Sequence, residues 1–273
     1  MEPAPAMSER RSAIVTVAFG HSTEHLDYTF TSFAVNKGVP LHAIVIGREL
    51  PKRRMEGVTY HLVEPVPDFS NPLREVYLRR IELIDRLGVD YALVVDSYDV
   101  LCLRPLPPFE SLLAGCDVAA CIEHMGSRYV MGQGYTSNFL NGGVFLWNVP
   151  GSRDIRREIV ERARGHFRTV ADDQFCINEV IQTKYFDRLR ILPCQYNYRA
   201  YLKKRQRGWP TVTHLDGVYI FHNASTMDEA KKLMGTSAPQ ADLPALPSDG
   251  RPLTAREQFW RKVRLRLQPW VIR

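Results

Sequence analysis

The segment YALVVDSYDVLCLRP, Tyr91 to Pro105, constrains the fold more than any other. Ala92 to Val95 is an uninterrupted apolar run, the pattern of a strand buried on both faces. It stops at two carboxylates, Asp96 and Asp99, with Ser97 and Tyr98 between them. Leu101 to Leu103 restores the apolar character before Pro105 closes the segment. Placing two acids at the end of a buried strand is costly unless something cationic sits there. In open α/β sheets that edge is where ligands bind. A hard divalent cation held by the carboxylates, with phosphate oxygens in its remaining positions, accounts for both acids. A strand followed by an acidic surface turn accounts for them equally, and the segment alone leaves both readings open.

The chain before this segment reads as β-α-β, the start of a parallel sheet. Ser12 to Phe19 is a β-branched strand ending at Gly20. Leu26, Phe30, Phe33 and Ala34 fall at helical spacing, and Leu41 to Ile46 is a second buried strand. Val58 to Val63 is a third, followed by a proline-marked loop around Phe69. Leu73 to Leu87 is predicted as a helix with Tyr77, Ile81, Ile84 and Leu87 on one face and Gly88 as its stop. After the acid-bearing strand come a short helix (Phe109 to Leu113), a strand (Asp117 to Ile122) and a strand from Gly143 to Val149. Helices are predicted over Ile155 to Phe167 and Asp172 to Lys184, and final strands at Ile191 to Leu192 and Gly217 to His222. Glu123 to Asn138 is long and weakly periodic, the profile of a substrate loop or lid.

At 45% hydrophobic and 24% charged residues the composition is that of an ordinary globular protein. No run of about 18 apolar residues is present to span a bilayer. The opening residues lack the apolar core of a secretory signal, and residues 1–11 read as a disordered lead. Five scattered cysteines without a CxxC pair favour reduced, buried thiols in a cytoplasmic protein. The formal charge of +6 is localised. Residues 251–273 hold seven Arg or Lys against the single acid Glu257, which leaves the first 250 residues neutral. A neutral body argues against nucleic acid as a partner.

Six short motifs then fall in a telling order: AFG (Ala18 to Gly20), VVDSYDVL (Val94 to Leu101), LNGGVFLWN (Leu140 to Asn148), DDQFCIN (Asp172 to Asn178), LPCQYNY (Leu192 to Tyr198) and YIFHNAS (Tyr219 to Ser225). Together they resemble glycosyltransferase family 8, the group of glycogenin and the bacterial lipooligosaccharide galactosyltransferases. The acid pair itself looks more like that of the glycosyltransferase domain of lysyl hydroxylases, because its second acid sits one residue later than in Asp-x-Asp. The resemblance implies an α/β GT-A fold, a Rossmann-like mixed central sheet flanked by helices, over residues 12–236. It also implies a UDP-sugar donor, Mn²⁺ or Mg²⁺, a glycan or lipid-linked acceptor, and retention of anomeric configuration.

Carried over by position, Asp96 and Asp99 bind the metal and His222 is its third protein ligand. Phe19 and Gly20 hold the uracil and ribose. Arg79 contacts the donor, the other reading being a solvated helix face shared with Arg80. Asn141 and Gly142 line the sugar, and Gly143 permits close backbone approach. Asp173 binds sugar hydroxyls, and Gln174 stabilises the oxocarbenium-like centre opposite the leaving diphosphate. Asp172 and Asp173 also suit a helix N-terminus. Tyr196 and Asn197 are assigned to packing and loop shape.

Two departures from the family pattern stand out. Phe175 occupies the place of a third acid. Ser225 and Asp228 stand where the family has a glycine and a phosphate-binding lysine after its histidine, with Lys231 and Lys232 a turn later. A degenerate GT-A domain that binds a nucleotide-sugar, a glycan or a protein partner without catalysis is the alternative that the missing lysine supports. A nucleotidylyltransferase is disfavoured, since AFGHSTEH lacks a Gly-rich phosphate loop. Beyond a linker at 237–250, residues 251–273 carry a T-x-x-E capping box at Thr254 and Glu257. On a helical wheel Phe259, Trp260, Val263, Leu267 and Trp270 share one side and the basic residues the other. That profile predicts docking on an anionic membrane surface.

Overall fold

The structure is a computed structural model of the 273-residue chain and describes residues 10–19, 26–65, 78–97, 99–122, 139–166, 172–199 and 217–222. Residues 1–9 of the predicted lead, Gly20, Leu73 to Tyr77, the 123–138 loop, Phe167, Lys231, Lys232, the linker and the tail lie outside these residues, as does Tyr98.

The apolar runs become strands: β1 (Ser12–Phe19), β2 (Leu41–Ile46), β3 (Val58–Val63) and β4 (Tyr91–Val95). All four are parallel, in the order β3-β2-β1-β4. β6 (Val118–Ile122), β7 (Leu140–Asn148) and β8 (Leu189–Leu192) extend the sheet beyond β4 in the order β7-β6-β8. β7 is antiparallel to both of its neighbours, so the seven-stranded sheet is mixed. A second sheet, β5-β10-β9, sits at its ligand edge and is built from β5 (Val100–Cys102), β9 (Tyr198–Arg199) and β10 (Ile220–His222).

Alternating side chains along each strand feed two cores. On one face Val15, Val17, Ile44, Val94, Phe145 and Trp147 pack with Ile155, Ile159, Ile177 and Ile181. Those isoleucines come from α4 (Arg153–His166) and α5 (Asp172–Lys184). The other face, with Ile14, Val45, Leu93 and Leu146, is covered by α1 (Leu26–Phe33) and α3 (Phe109–Leu113). Each fully buried Val, Leu or Ile contributes ~1.5–3 kcal/mol. β4, buried on both sides, therefore fixes the height at which Asp96 leaves the sheet.

Several expectations are corrected. Ala34 lies beyond the end of α1 and is exposed; Thr29 and Ser32 are buried on that helix instead. The two hydroxyls are tolerated because both are bonded. Thr29 Oγ1 donates to the Ser97 carbonyl at 3.1 Å, and Ser32 Oγ accepts from the Cys102 amide at 3.0 Å. The helix before β4, α2, is described from 78 to 82 and tightens into a 3₁₀ turn, Leu83–Leu87, before Gly88 at φ +64°. β7 begins at Leu140, three residues earlier than predicted, and β9 was not foreseen. Among the cysteines, Cys194 is exposed, against the expectation of buried thiols throughout. Burial pushes the Cys102 thiol up to about 11 and raises Cys121 as well, so both stay protonated.

Candidate active site

The site is assembled where the carboxyl end of β4, the start of β7 and the second sheet meet. Beyond the last β4 pairing, the Asp96 amide donates to Gly143 O at 2.9 Å, so the acid leaves the sheet directly opposite the glycine. Four residues later β5 pairs antiparallel with β10, and His222 lies across from Val100, next in sequence to Asp99. His222 Nε2 sits 3.6 Å from Asp96 Oδ2 and 3.4 Å from Asp99 Oδ2. One ligand atom from each of these three side chains lies within 4.8 Å of the others. His222 is 3% exposed, and both carboxylates are partly shielded.

The start of β7 is shaped to admit this cluster. A Cβ built on Gly143 would come within 2.5 Å of Asp96 Oδ2 and closer still to His222 Cε1, so the space a side chain would need is already filled by two candidate ligands. Two carboxylates and an imidazole converging over a bare Cα form a donor set that suits a divalent cation of the Mn²⁺ class. The residues present therefore fit the metal that the sequence implied.

Part of the cation demanded by the acid pair is protein-borne. Arg80, on α2, donates from Nη1 to Asp96 Oδ1 and from Nη2 to Asp173 Oδ2, both at 2.6 Å. Arg80 is 5% exposed, so its side of the helix faces the interior. Arg79, the residue matched to the donor arginine, lies 3.8 Å from Glu82 of its own helix. Burial raises the Asp173 carboxyl above its ordinary range, while the Arg80 guanidinium opposes that rise. Short, charge-assisted bonds of this kind are about twice as strong as neutral ones. They tie Asp96, of the candidate metal cluster, to the acid at the N-terminus of α5.

The same end of α5 presents Gln174. Its Oε1 would stand 3.1 Å from a Cβ on Gly142, and Arg80 Nη2 3.0 Å from that point. Gly142, Gln174 and Arg80 thus crowd together beside the candidate metal cluster. Asn178, one turn on, locks helix to strand. Its Oδ1 accepts from Leu140 N–H at 2.6 Å, and its Nδ2 donates to Leu140 O at 3.0 Å and Gln174 O at 2.8 Å. Of the sequence-predicted residues, Asp96, Asp99, Asn141, Gly142, Asp173, Gln174 and His222 are brought together. The side chain of Phe19 and all of Gly20 lie outside the described residues, although the described end of β1 abuts this edge.

Two site residues were missed. Arg80 had a signal: it lies three residues after Tyr77 and four before Ile84, on the inward stripe of the predicted helix. Asn197, assigned to loop shape, is 1% exposed and bridges Asn141 and His222. Tyr196 does pack, stacking on Tyr219 with ring centroids 4.7 Å apart.

No protein-family model and no curated protein sequence matches the chain. Solved structures do. The galactosyltransferase LgtC, in complex with donor and acceptor sugar analogues, superposes with a TM-score of 0.54 at 18% identity, covering 84% of this chain and 98% of its own. An active-site mutant of LgtC matches equally well. The bifunctional glycosyltransferase WbbM, in its apo form, gives 0.56 at 13% identity, covering 88% of this chain and 52% of its own. The mixed seven-stranded sheet flanked by helices is thus the GT-A fold of the glycosyltransferases, as the six motifs implied.

Proposed function

We propose that this chain is a metal-dependent, retaining glycosyltransferase that moves a hexose from a UDP-sugar to a glycan or lipid-linked acceptor. The observation that carries the reading is the convergence of Asp96, Asp99 and His222 at the ligand edge of a GT-A sheet. Donor and acceptor sugar analogues are bound by LgtC, which shares the fold, and this supports a donor site in this chain.

Asp96, Asp99 and His222 hold Mn²⁺ or Mg²⁺, which when bound offsets the charge that develops on the departing diphosphate. Phe19 and Gly20 take the uracil and ribose, and Asn141 and Gly142 line the hexose. Arg79 contacts the donor, and its neighbour Arg80 supports the site from within. By gripping Asp96 and Asp173 together it keeps the metal ligand and the sugar-binding acid in one fixed relation. Gln174 brings its amide oxygen beside Gly142, where it stabilises positive charge at the sugar carbon on the face away from the diphosphate. Preorganisation matters here because a dipole already in place costs no reorganisation when charge appears.

The acceptor is lipid-linked or part of an envelope glycan, and residues 251–273 dock the enzyme on the cytoplasmic, anionic membrane surface. Among the described residues no helix is long and apolar enough to cross a membrane. Each basic residue near such a surface contributes ~1 kcal/mol.

A second reading, a nucleotide-sugar-binding domain without turnover, is favoured by Phe175. In place of a third acid it packs edge-on against Phe139, with centroids 5.6 Å apart. A panel of sugar nucleotides with Mn²⁺ and no acceptor, followed by mass detection, separates the two. Slow hydrolysis of one UDP-sugar is expected. Binding without hydrolysis supports the second reading, and binding of none contradicts both.

A further inference from the structure

The ring of His222 is oriented by a chain of hydrogen bonds that starts at a backbone amide. Gly143 N–H donates to Asn141 Oδ1 at 3.0 Å. A backbone N–H only donates, so the Asn141 atom facing it is the amide oxygen. That same oxygen lies 2.8 Å from the side-chain amide of Asn197. Two oxygens cannot share a hydrogen bond, so Asn197 turns its NH₂ toward Asn141. Its own oxygen is then the atom 2.9 Å from His222 Nδ1. An amide oxygen accepts only, so Nδ1 carries the proton. Nε2 is left with its lone pair, and Nε2 is the nitrogen that faces Asp96 and Asp99. Asn141, Asn197 and His222 are 3%, 1% and 3% exposed, so water does not replace these bonds.

We propose that Asn197 is a positioning residue that fixes His222 as the Nδ1–H tautomer and thereby presents Nε2 as a ready cation ligand. The inference rests on the metal reading given above. A ring held the other way would point an N–H at the cation and offer it nothing. The network also joins the ligand to the strand that lines the sugar, since Asn141 and Gly143 are both in it. An outer partner that fixes ring and tautomer is worth roughly 10–100-fold in metal affinity.

The test uses the full chain, with ¹⁵N NMR of the histidine rings at pH 8.5, above the ordinary range of imidazole protonation. Mn²⁺ binding is followed by electron paramagnetic resonance. Wild type is expected to show His222 with a protonated Nδ1 and a lone pair on Nε2. In Asn197→Leu, which keeps the volume but accepts nothing, the ring should become a tautomer mixture and Mn²⁺ affinity should fall about 10–100-fold. Asn197→Asp keeps an acceptor for Nδ1 while losing the donor to Asn141, so it should retain the Nδ1–H tautomer and bind Mn²⁺ more tightly than Asn197→Leu does. A purely structural role would be damaged by both substitutions and would leave the ring signature in Asn197→Leu unchanged. A protonated Nε2 in wild type, or unaltered tautomer and affinity in Asn197→Leu, overturns the proposal. If wild type takes up no Mn²⁺, the metal reading fails on its own, and the wild-type and Asn197→Leu ring signatures still decide the role of Asn197.

Discussion

Gly143 illustrates how the site is constrained at the scale of single residues. The volume of its missing side chain is occupied by His222 and Asp96, both of which its neighbours hold in place. A Gly143→Ala variant should fold with a loss of ~1–3 kcal/mol, the usual cost of overpacking. Its Mn²⁺ affinity should fall by at least about 10-fold, because the ring and carboxylate must move apart. Parallel thermal melts and Mn²⁺ titration check this, and unchanged affinity would contradict it. Gln174→Ala should lower kcat by about 100-fold or more while changing donor affinity little, since its dipole acts mainly on charge present in the transition state. Equal losses in kcat/KM and in donor binding would reduce Gln174 to a binding residue. Why some residues were legible and others not follows from their chemistry. Asp96 and Asp99 interrupt an apolar run, which makes them visible. Asn197 sits in a short connection without periodicity, and its role exists only through Asn141 and His222, 56 and 25 residues away.

Elements hold these residues through a few buried polar ties. Arg156, on α4, is 2% exposed. It donates to Val149 O at 2.6 Å, to Ile81 O at 3.3 Å and to both oxygens of Asp85. It thereby joins the end of β7 to the helix carrying Arg80. Arg156→Met should cost ~2–3 kcal/mol through carbonyls left unsatisfied. It should also loosen α2, which hydrogen exchange at 81–87 would report; protection equal to wild type would refute the tie. At the far edge of the sheet, His42 Nδ1 and His61 Nε2 lie 2.9 Å apart on β2 and β3. Burial lowers both pKa values from the ordinary 6.5, and the charge of His61 lowers His42 further. A depressed histidine stays neutral in the fold while the unfolded chain takes up the proton. Stability from this pair is therefore complete above about pH 6.5 and declines as pH falls below it. Urea midpoints between pH 7.5 and 5.5 should drop, less so in His61→Phe; an equal slope in both would exclude the pair as the cause. Strands were readable because β-branched apolar runs admit little else. The sequence starts β7 late because Asn141, Gly142 and Gly143 interrupt the apolar run, whereas Leu140 pairs with Ile122 on β6 and is tied to Asn178.

At the scale of the whole molecule, a sheet of mixed direction places β4 centrally and gathers site residues from segments as distant as Arg80 and His222. The order of motifs and the strand ending at His222 are readable in the sequence, while the second sheet is not, because its partner strand β9 is only two residues long. The neutral body and basic tail make a prediction of their own. Flotation with anionic vesicles should weaken with salt and vanish when the chain is cut after Gly250, and undiminished flotation of the truncated chain would refute membrane docking by the tail. The central claim is that Asp96, Asp99 and His222 make donor binding depend on a divalent cation. Isothermal calorimetry of UDP binding, with Mn²⁺ and then with chelator, addresses it most directly. UDP should bind wild type only with Mn²⁺, and Asp96→Asn and Asp99→Asn should lose that binding, because an amide supplies no charge to offset the cation. Equal UDP affinity with and without chelator in the wild-type chain would contradict the account.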